Sequence, residues 1–164
     1  MDRLWTPWRY DYIKTGSSRS ESQPDTCVFC SLRDDTSDDE SKFILHRAKH
    51  NFIVLNIYPY TSGHLLIVPH LHTSELAAAP KEMTDELMDL TKRAQTVLKE
   101  TYQPHGFNIG INLGAAAGAG VAGHIHLHIM PRWAGDANFM TTIAETRTIP
   151  EELATTYRKL RGKF

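Results

Sequence analysis

Residues 123–133 read GHIHLHIMPRW, with histidine at 124, 126 and 128. In an extended chain successive side chains point to opposite faces. The spacing therefore predicts a strand with His124, His126 and His128 in one polar row and Ile125, Leu127 and Ile129 in an apolar row behind it. Side chains two apart on one strand face sit roughly 6–7 Å apart at Cα, so three imidazoles can share one small anion or one metal. Two chemistries fit. Neutral imidazole ligates zinc, and three of them with an open position make a hydrolytic metal site. Alternatively the middle ring is a nucleophile, and its neighbours orient it and donate to a phosphate.

The stretch before the row, LGAAAGAGVAG at 113–123, is rich in backbone N–H groups and poor in side chains. Such loops let a backbone close around phosphate oxygens. No Gly-Lys-Ser/Thr follows, so it is not a Walker A loop, and a predicted strand rather than a helix follows, which disfavours a dinucleotide fingerprint. Taken alone it reads equally well as a plain turn; directly before three histidines it favours a phosphate site.

The only cysteines, Cys27 and Cys30, form CVFC. In a reducing compartment that spacing favours metal or redox chemistry over a structural disulfide. The pair supplies two of the four ligands that zinc takes; the other reading is a reduced, buried pair without metal. A thioredoxin-like role is disfavoured because CVFC lies between a polar linker and an acidic loop (residues 33–41) rather than at a strand-to-helix junction.

Elements that would position these residues follow from periodicity. KFILH and NFIVLNI, with a short turn at 48–50, read as a hairpin, and HLLIVP as a short apolar strand closed by Pro69. Met83, Leu87, Leu90, Ala94, Val97 and Leu98 recur every three or four residues, the stripe of a long amphipathic helix. Pro80 suits its start and Pro104 lies beyond its end. GFNIGINL reads as a further strand. The tail IPEELATTYRKLRGKF reads as a helix with an acidic first turn and a basic last one. The expected fold is α+β: a mainly antiparallel sheet of about five strands, one long helix and a C-terminal helix. Residues 1–26, carrying Trp5, Trp8 and Tyr10, are expected to form an arm and linker, and residues 27–164 a single domain.

At 164 residues the chain suits one domain with a real core. A net charge of −1 gives no sign of a nucleic-acid surface, and no apolar run is long enough to span a bilayer. The opening residues lack a secretory h-region, so a cytoplasmic location is expected.

HIHLHIM matches the His-φ-His-φ-His-φ-φ motif of the histidine-triad (HIT) superfamily of nucleotide hydrolases and transferases, and the similarity runs from about Cys27 to Met140. LNIYPYTSGHLLIVP resembles the family's second strand pair, and NLGAAAGAGVAGH the loop before its triad. DRLWTPWR and PRWAGDANFM resemble a bacterial branch that includes diadenosine tetraphosphate phosphorylases. The resemblance implies that His126 attacks the α-phosphorus of a nucleotide, that His128 hydrogen-bonds α-phosphate oxygens and that His124 orients or supports the reacting ring. His64 matches a fourth family histidine near the nucleophile. Asn56 sits where the family contacts ribose and Asn112 where a polar side chain meets the phosphates. The backbone of Gly118, Ala119, Gly120 and Val121 would complete the phosphate cradle. Relatives also complete a structural zinc site with two histidines, here His72 and His124 beside Cys27 and Cys30, with His70 a competitor of His72.

His46, His50 and His105 are expected in loops or turns without catalytic work. Trp133 and Phe139 suit either a nucleobase wall or packing. The resemblance implies a homodimer, with the AMP moiety of a nucleotide and inorganic phosphate as ligands, no organic cofactor, and neither nucleic acid nor membrane as partner. The function it implies is phosphorolysis of diadenosine tetraphosphate to ADP and ATP. Hydrolysis of dinucleoside polyphosphates or nucleoside phosphoramidates by the same triad, a zinc hydrolase using all three histidines, and a nucleotide-binding module remain alternatives.

Overall fold

The computed structural model describes residues 27–136 and 151–164. The expected arm, and Phe139 with the end of PRWAGDANFM, lie outside the described residues. Five strands form one antiparallel sheet: β1 (Ile44–Arg47), β2 (Asn51–Leu55), β3 (Leu65–Pro69), β4 (Gly106–Ile111) and β5 (Leu127–Arg132), in the order β1-β2-β3-β5-β4. Among the described residues three α-helices accompany it: α1 (Val28–Asp34), α2 (Lys81–Tyr102) and α3 (Leu153–Leu160). The expected α+β architecture is the one observed.

Sheet alternation divides the core in two. Ile53, Leu55, Leu65, Ile67, Leu127 and Ile129 face Leu87, Leu90, Ala94, Val97 and Leu98 of α2 and Tyr157 and Leu160 of α3. On the opposite face Phe52, Val54, Leu66 and Val68 meet Cys27, Phe29 and Cys30. Strands β2 and β3 are therefore buried on both sides, which is why they read as unbroken apolar runs. β5 alternates buried and half-buried positions, since its second face carries the site. The Glu86 carboxylate on α2 accepts the amides of His50 and Asn51 and the Asn51 side chain, fixing the helix to the start of β2.

Five expectations need correction. The strand ladder of β5 begins at Leu127, so His124 and His126 precede it. The amide of Ile125 donates instead to the carbonyl of Thr73. CVFC does open a helix, α1, whose seven residues are too few to show a period. The acidic segment is not a plain solvated loop: α1 takes its first two residues, and the rest wraps Arg47, whose guanidinium donates to the carbonyls of Leu32, Arg33 and Asp35 and to the Asp39 carboxylate. His46 lies within β1 rather than in a loop. In the tail, Glu151 and Glu152 precede α3 instead of forming its first turn; Glu151 accepts from Tyr102 and Thr156.

Candidate active site

His126 is 5% exposed and packs between two rings, with centroids 4.9 Å away for Phe29 and 5.0 Å for His128. Its Nδ1 lies 2.9 Å from the carbonyl oxygen of His124. A carbonyl only accepts, so Nδ1 carries the proton and Nε2 the lone pair. Burial holds its pKa below the ordinary imidazole value. The neutral form therefore predominates at pH 7, with the lone pair on Nε2.

The same reasoning fixes His64 and His128. The backbone N–H of Tyr60 donates to His64 Nδ1 at 3.2 Å, and the Asn56 amide nitrogen stands 3.3 Å from the same atom. His64 must therefore carry its proton on Nε2, which lies 2.9 Å from His128 Nδ1. His128 in turn accepts at Nδ1 and carries its proton on Nε2. That Nε2 is buried and has no hydrogen-bond partner among the described residues. An unmatched buried donor costs about 1–3 kcal/mol, and an anionic oxygen placed there removes the cost. Burial, reinforced by the neighbouring imidazoles, pushes His64 down to about 3 and His128 down to about 4. A backbone donor at one end thus sets two proton positions in series, on His64 and then on His128.

A cleft of about 290 Å³ opens beside His128, lined by Tyr60, Asn108, Ile109, Gly110, Asn112, His128 and Met130. Gly110 faces His128 across the β4–β5 ladder. In the glycine-rich loop, Gly118 adopts φ +89°, and a Cβ there would stand 3.9 Å from the Asn112 amide nitrogen. The amides of Gly118 and Ala119 are used within the loop, by the carbonyls of Ala115 and Gly114.

His124 looks the other way. Its Nε2 lies 2.9 Å from the Pro69 carbonyl, which leaves the Nδ1 lone pair facing the sulfurs. Nδ1 is 3.4 Å from Cys27 Sγ and 3.7 Å from Cys30 Sγ, and His72 Nδ1 is 3.2 Å from Cys30 Sγ. All four ligand atoms lie within 4.8 Å of one another. Tetrahedral zinc with ordinary Zn–S and Zn–N bonds separates sulfur from nitrogen by roughly 3.5 Å, so the donor set fits zinc. Burial and the adjacent Cys27 push the Cys30 thiol up, the situation a bound cation would relieve. His70 is not a ligand in this arrangement: its Nε2 donates to the Ala48 carbonyl and its ring stacks on Phe52. With His124 turned to the cysteines, the three histidines do not converge on one point.

The HIT domain family profile matches residues 37–135. The chain belongs to this family. It is 41% identical over 167 aligned positions to an AP-4-A phosphorylase of Mycobacterium tuberculosis, covering 98% of this chain and 83% of that protein. A Zn-bound histidine triad family protein from Mycobacterium smegmatis superposes with a TM-score of 0.69 at 30% identity, covering 86% of this chain and 94% of that one. A HIT family protein from Bacillus anthracis gives a TM-score of 0.61 at 29% identity, over 67% and 75% of the two chains. As a HIT protein the chain is an enzyme, a nucleotidyl transferase or hydrolase.

Within this HIT domain His64, His126, His128 and Asn112 gather on one sheet face, and Cys27, Cys30, His72 and His124 form a separate cluster. Asn56 occupies a supporting place, its oxygen accepting from the Tyr58 amide and its nitrogen meeting His64. Trp133 packs edge-on against Tyr102. His50 lies in the β1–β2 turn, and His105, just before β4, accepts from the Ala134 amide. Sequence reasoning missed Tyr60, which acts through its amide, and Phe29, whose place between the cysteines was the available signal.

Proposed function

We propose that this HIT protein is a phosphorylase of diadenosine polyphosphates, working through a nucleotidyl intermediate on His126. The observation that carries the mechanism is the pair of assigned nitrogens: a lone pair on His126 Nε2 and an unmatched N–H on His128 Nε2. The similarity to an AP-4-A phosphorylase supports the substrate class and the phosphate acceptor.

His126 Nε2 attacks the α-phosphorus of diadenosine tetraphosphate. A P–N bond forms, the bond to the bridging oxygen breaks, and ATP leaves with that oxygen and its electron pair. The imidazolium keeps its Nδ1 proton on the His124 carbonyl, so the positive charge meets a fixed dipole. His128 Nε2–H and the Asn112 amide hold the non-bridging oxygens. The amides of Gly120 and Val121 complete the cradle, with those of Gly118 and Ala119 entering it if the loop opens its internal bonds. An oxygen of inorganic phosphate then attacks the same phosphorus. The P–N bond breaks, ADP forms, and the lone pair returns to Nε2. Every bond made or broken involves only the two substrates and His126, so no organic cofactor enters. Asn56, which stands next to His64, takes the ribose contact in this reading.

Zinc held by Cys27, Cys30, His72 and His124 would neutralise the thiolates and pin α1 to the sheet. β4 is an edge strand with Ile109 exposed, the kind of edge that a homodimer would cover.

The test is product analysis of diadenosine tetraphosphate with and without inorganic phosphate, beside His126→Ala. ADP and ATP only with phosphate, and none from the variant, is the expected result. AMP and ATP regardless of phosphate would make the enzyme a hydrolase, and AMP binding without turnover a binding module.

A further inference from the structure

We propose that Phe29, the residue between the two cysteines, is a positioning residue for His126, and that metal occupancy of the Cys27, Cys30, His72 and His124 cluster sets the nucleophile's ring through it. This rests on the proposed role of His126.

Phe29 is 5% exposed, and its ring touches both histidines: 4.9 Å from His126 with a 50° tilt, and 5.5 Å from His124 edge-on. It lies two residues after one metal ligand and one before another. Helix α1, which carries it, has seven residues, too few to hold itself in water, so the ring sits where outside contacts put it: the cysteines at the start of the helix, the apolar sheet face beneath it, and Arg47 on the carbonyls of Leu32 and Arg33 at its end. Two further links run from the same cluster to the same ring. His124 uses Nδ1 toward the cysteines and its carbonyl oxygen toward His126 Nδ1. Thr73, next to ligand His72, holds the amide of Ile125, next to His126. The ring thus has Phe29, flanked by two cluster cysteines, behind it, the cluster's His124 at its Nδ1, and Thr73, next to the cluster's His72, bracing the adjacent backbone. Its remaining ring neighbour is His128. A nucleophile that must meet phosphorus in line loses rate steeply on small misplacement, roughly a hundredfold for an ångström.

The test uses the full chain with zinc, comparing wild type, Phe29→Ala, Phe29→Leu and His126→Ala. Four quantities are read: zinc per chain, AMP affinity by calorimetry, the single-turnover rate of nucleotidyl transfer onto His126, and the His126 tautomer by nitrogen-detected NMR. Expected are unchanged zinc and AMP affinity within about twofold in Phe29→Ala, with transfer slowed roughly ten- to a hundredfold. Phe29→Leu should recover part of the rate. Zinc removal from wild type should blur the single Nδ1–H tautomer. A Phe29→Ala transfer rate within twofold of wild type would overturn the inference, as would loss of AMP affinity at unchanged rate, which would make Phe29 a nucleobase wall. If Phe29→Ala does not fold, the same criteria apply to Phe29→Leu. Persistence of the adduct in His126→Ala would instead sink the proposed mechanism.

Discussion

His64 Nε2 stands 2.9 Å from His128 Nδ1, and the amide of Tyr60 on the far side of His64 decides which of the two carries the proton. The pair functions as a proton-placement device: it turns His128 Nε2 into a donor without making either ring cationic. Replacing His64 by Gln keeps an N–H that can donate to His128 Nδ1, whereas Leu removes it. His64→Leu should lower kcat about 10- to 100-fold, less than the roughly 100- to 1000-fold cost of deleting a preorganised donor outright, because His128 keeps its ring, and His64→Gln should retain most of the activity. Steady-state kinetics on both variants decide it. Equal losses would show that His64 acts by packing alone.

The same burial makes the fold acid-sensitive. His64, pushed down to about 3, and His128, pushed down to about 4, bind fewer protons in the native state than in the unfolded chain. Stability therefore rises with pH, is complete above the unfolded value near ~6.5, and is lost as pH falls through the window below it. Between about pH 6.5 and 4.5 His64 alone should remove about 2 kcal/mol. Urea unfolding across that window should show a shallower pH dependence for His64→Gln than for wild type. Parallel curves would contradict the assignment.

Gly63 holds φ +78°, and a Cβ there would stand 3.2 Å from Leu98, Tyr102 and Pro131. The tight approach seats the start of β3 on α2 and aims His64 at His128. Gly63→Ala should destabilise by about 1–3 kcal/mol, from strain and overpacking together, and should lower kcat more than it raises KM. Denaturation midpoints and kinetics on the folded variant check both. A variant as stable as wild type would mean that the turn relaxes freely.

Much of this arrangement was legible because it obeys simple periods. Met83, Leu87, Leu90, Ala94, Val97 and Leu98 are all buried along α2, as their spacing requires. The alternating histidines do mark the site, although only His128 sits in the ladder. What stayed hidden depends on partners distant in sequence or on backbone groups. α1 is one short helix held by residues from β1 to β3. The amide of Tyr60 leaves no trace in a side-chain pattern. The choice of His72 over His70 turns on Ala48 and Phe52, which hold His70 elsewhere.

That choice yields the prediction about the metal. His72 Nδ1 faces Cys30 Sγ at 3.2 Å, while His70 spends its Nε2 on a backbone carbonyl. His72→Ala should bind zinc far more weakly than wild type, by more than the roughly 10- to 100-fold that losing a mere partner of a ligand costs, and its Tm should fall. His70→Ala should keep one zinc per chain, because its losses are a hydrogen bond and a stacked ring. Chelation should lower the Tm of wild type and of His70→Ala alike and leave metal-free His72→Ala nearly unmoved, since binding to the folded state alone is what stabilises it. Metal analysis and thermal melts of the three proteins check this together. Zinc retained by His72→Ala but lost from His70→Ala would reverse the ligand assignment, and with it the proposed route from His72 through Thr73 to His126.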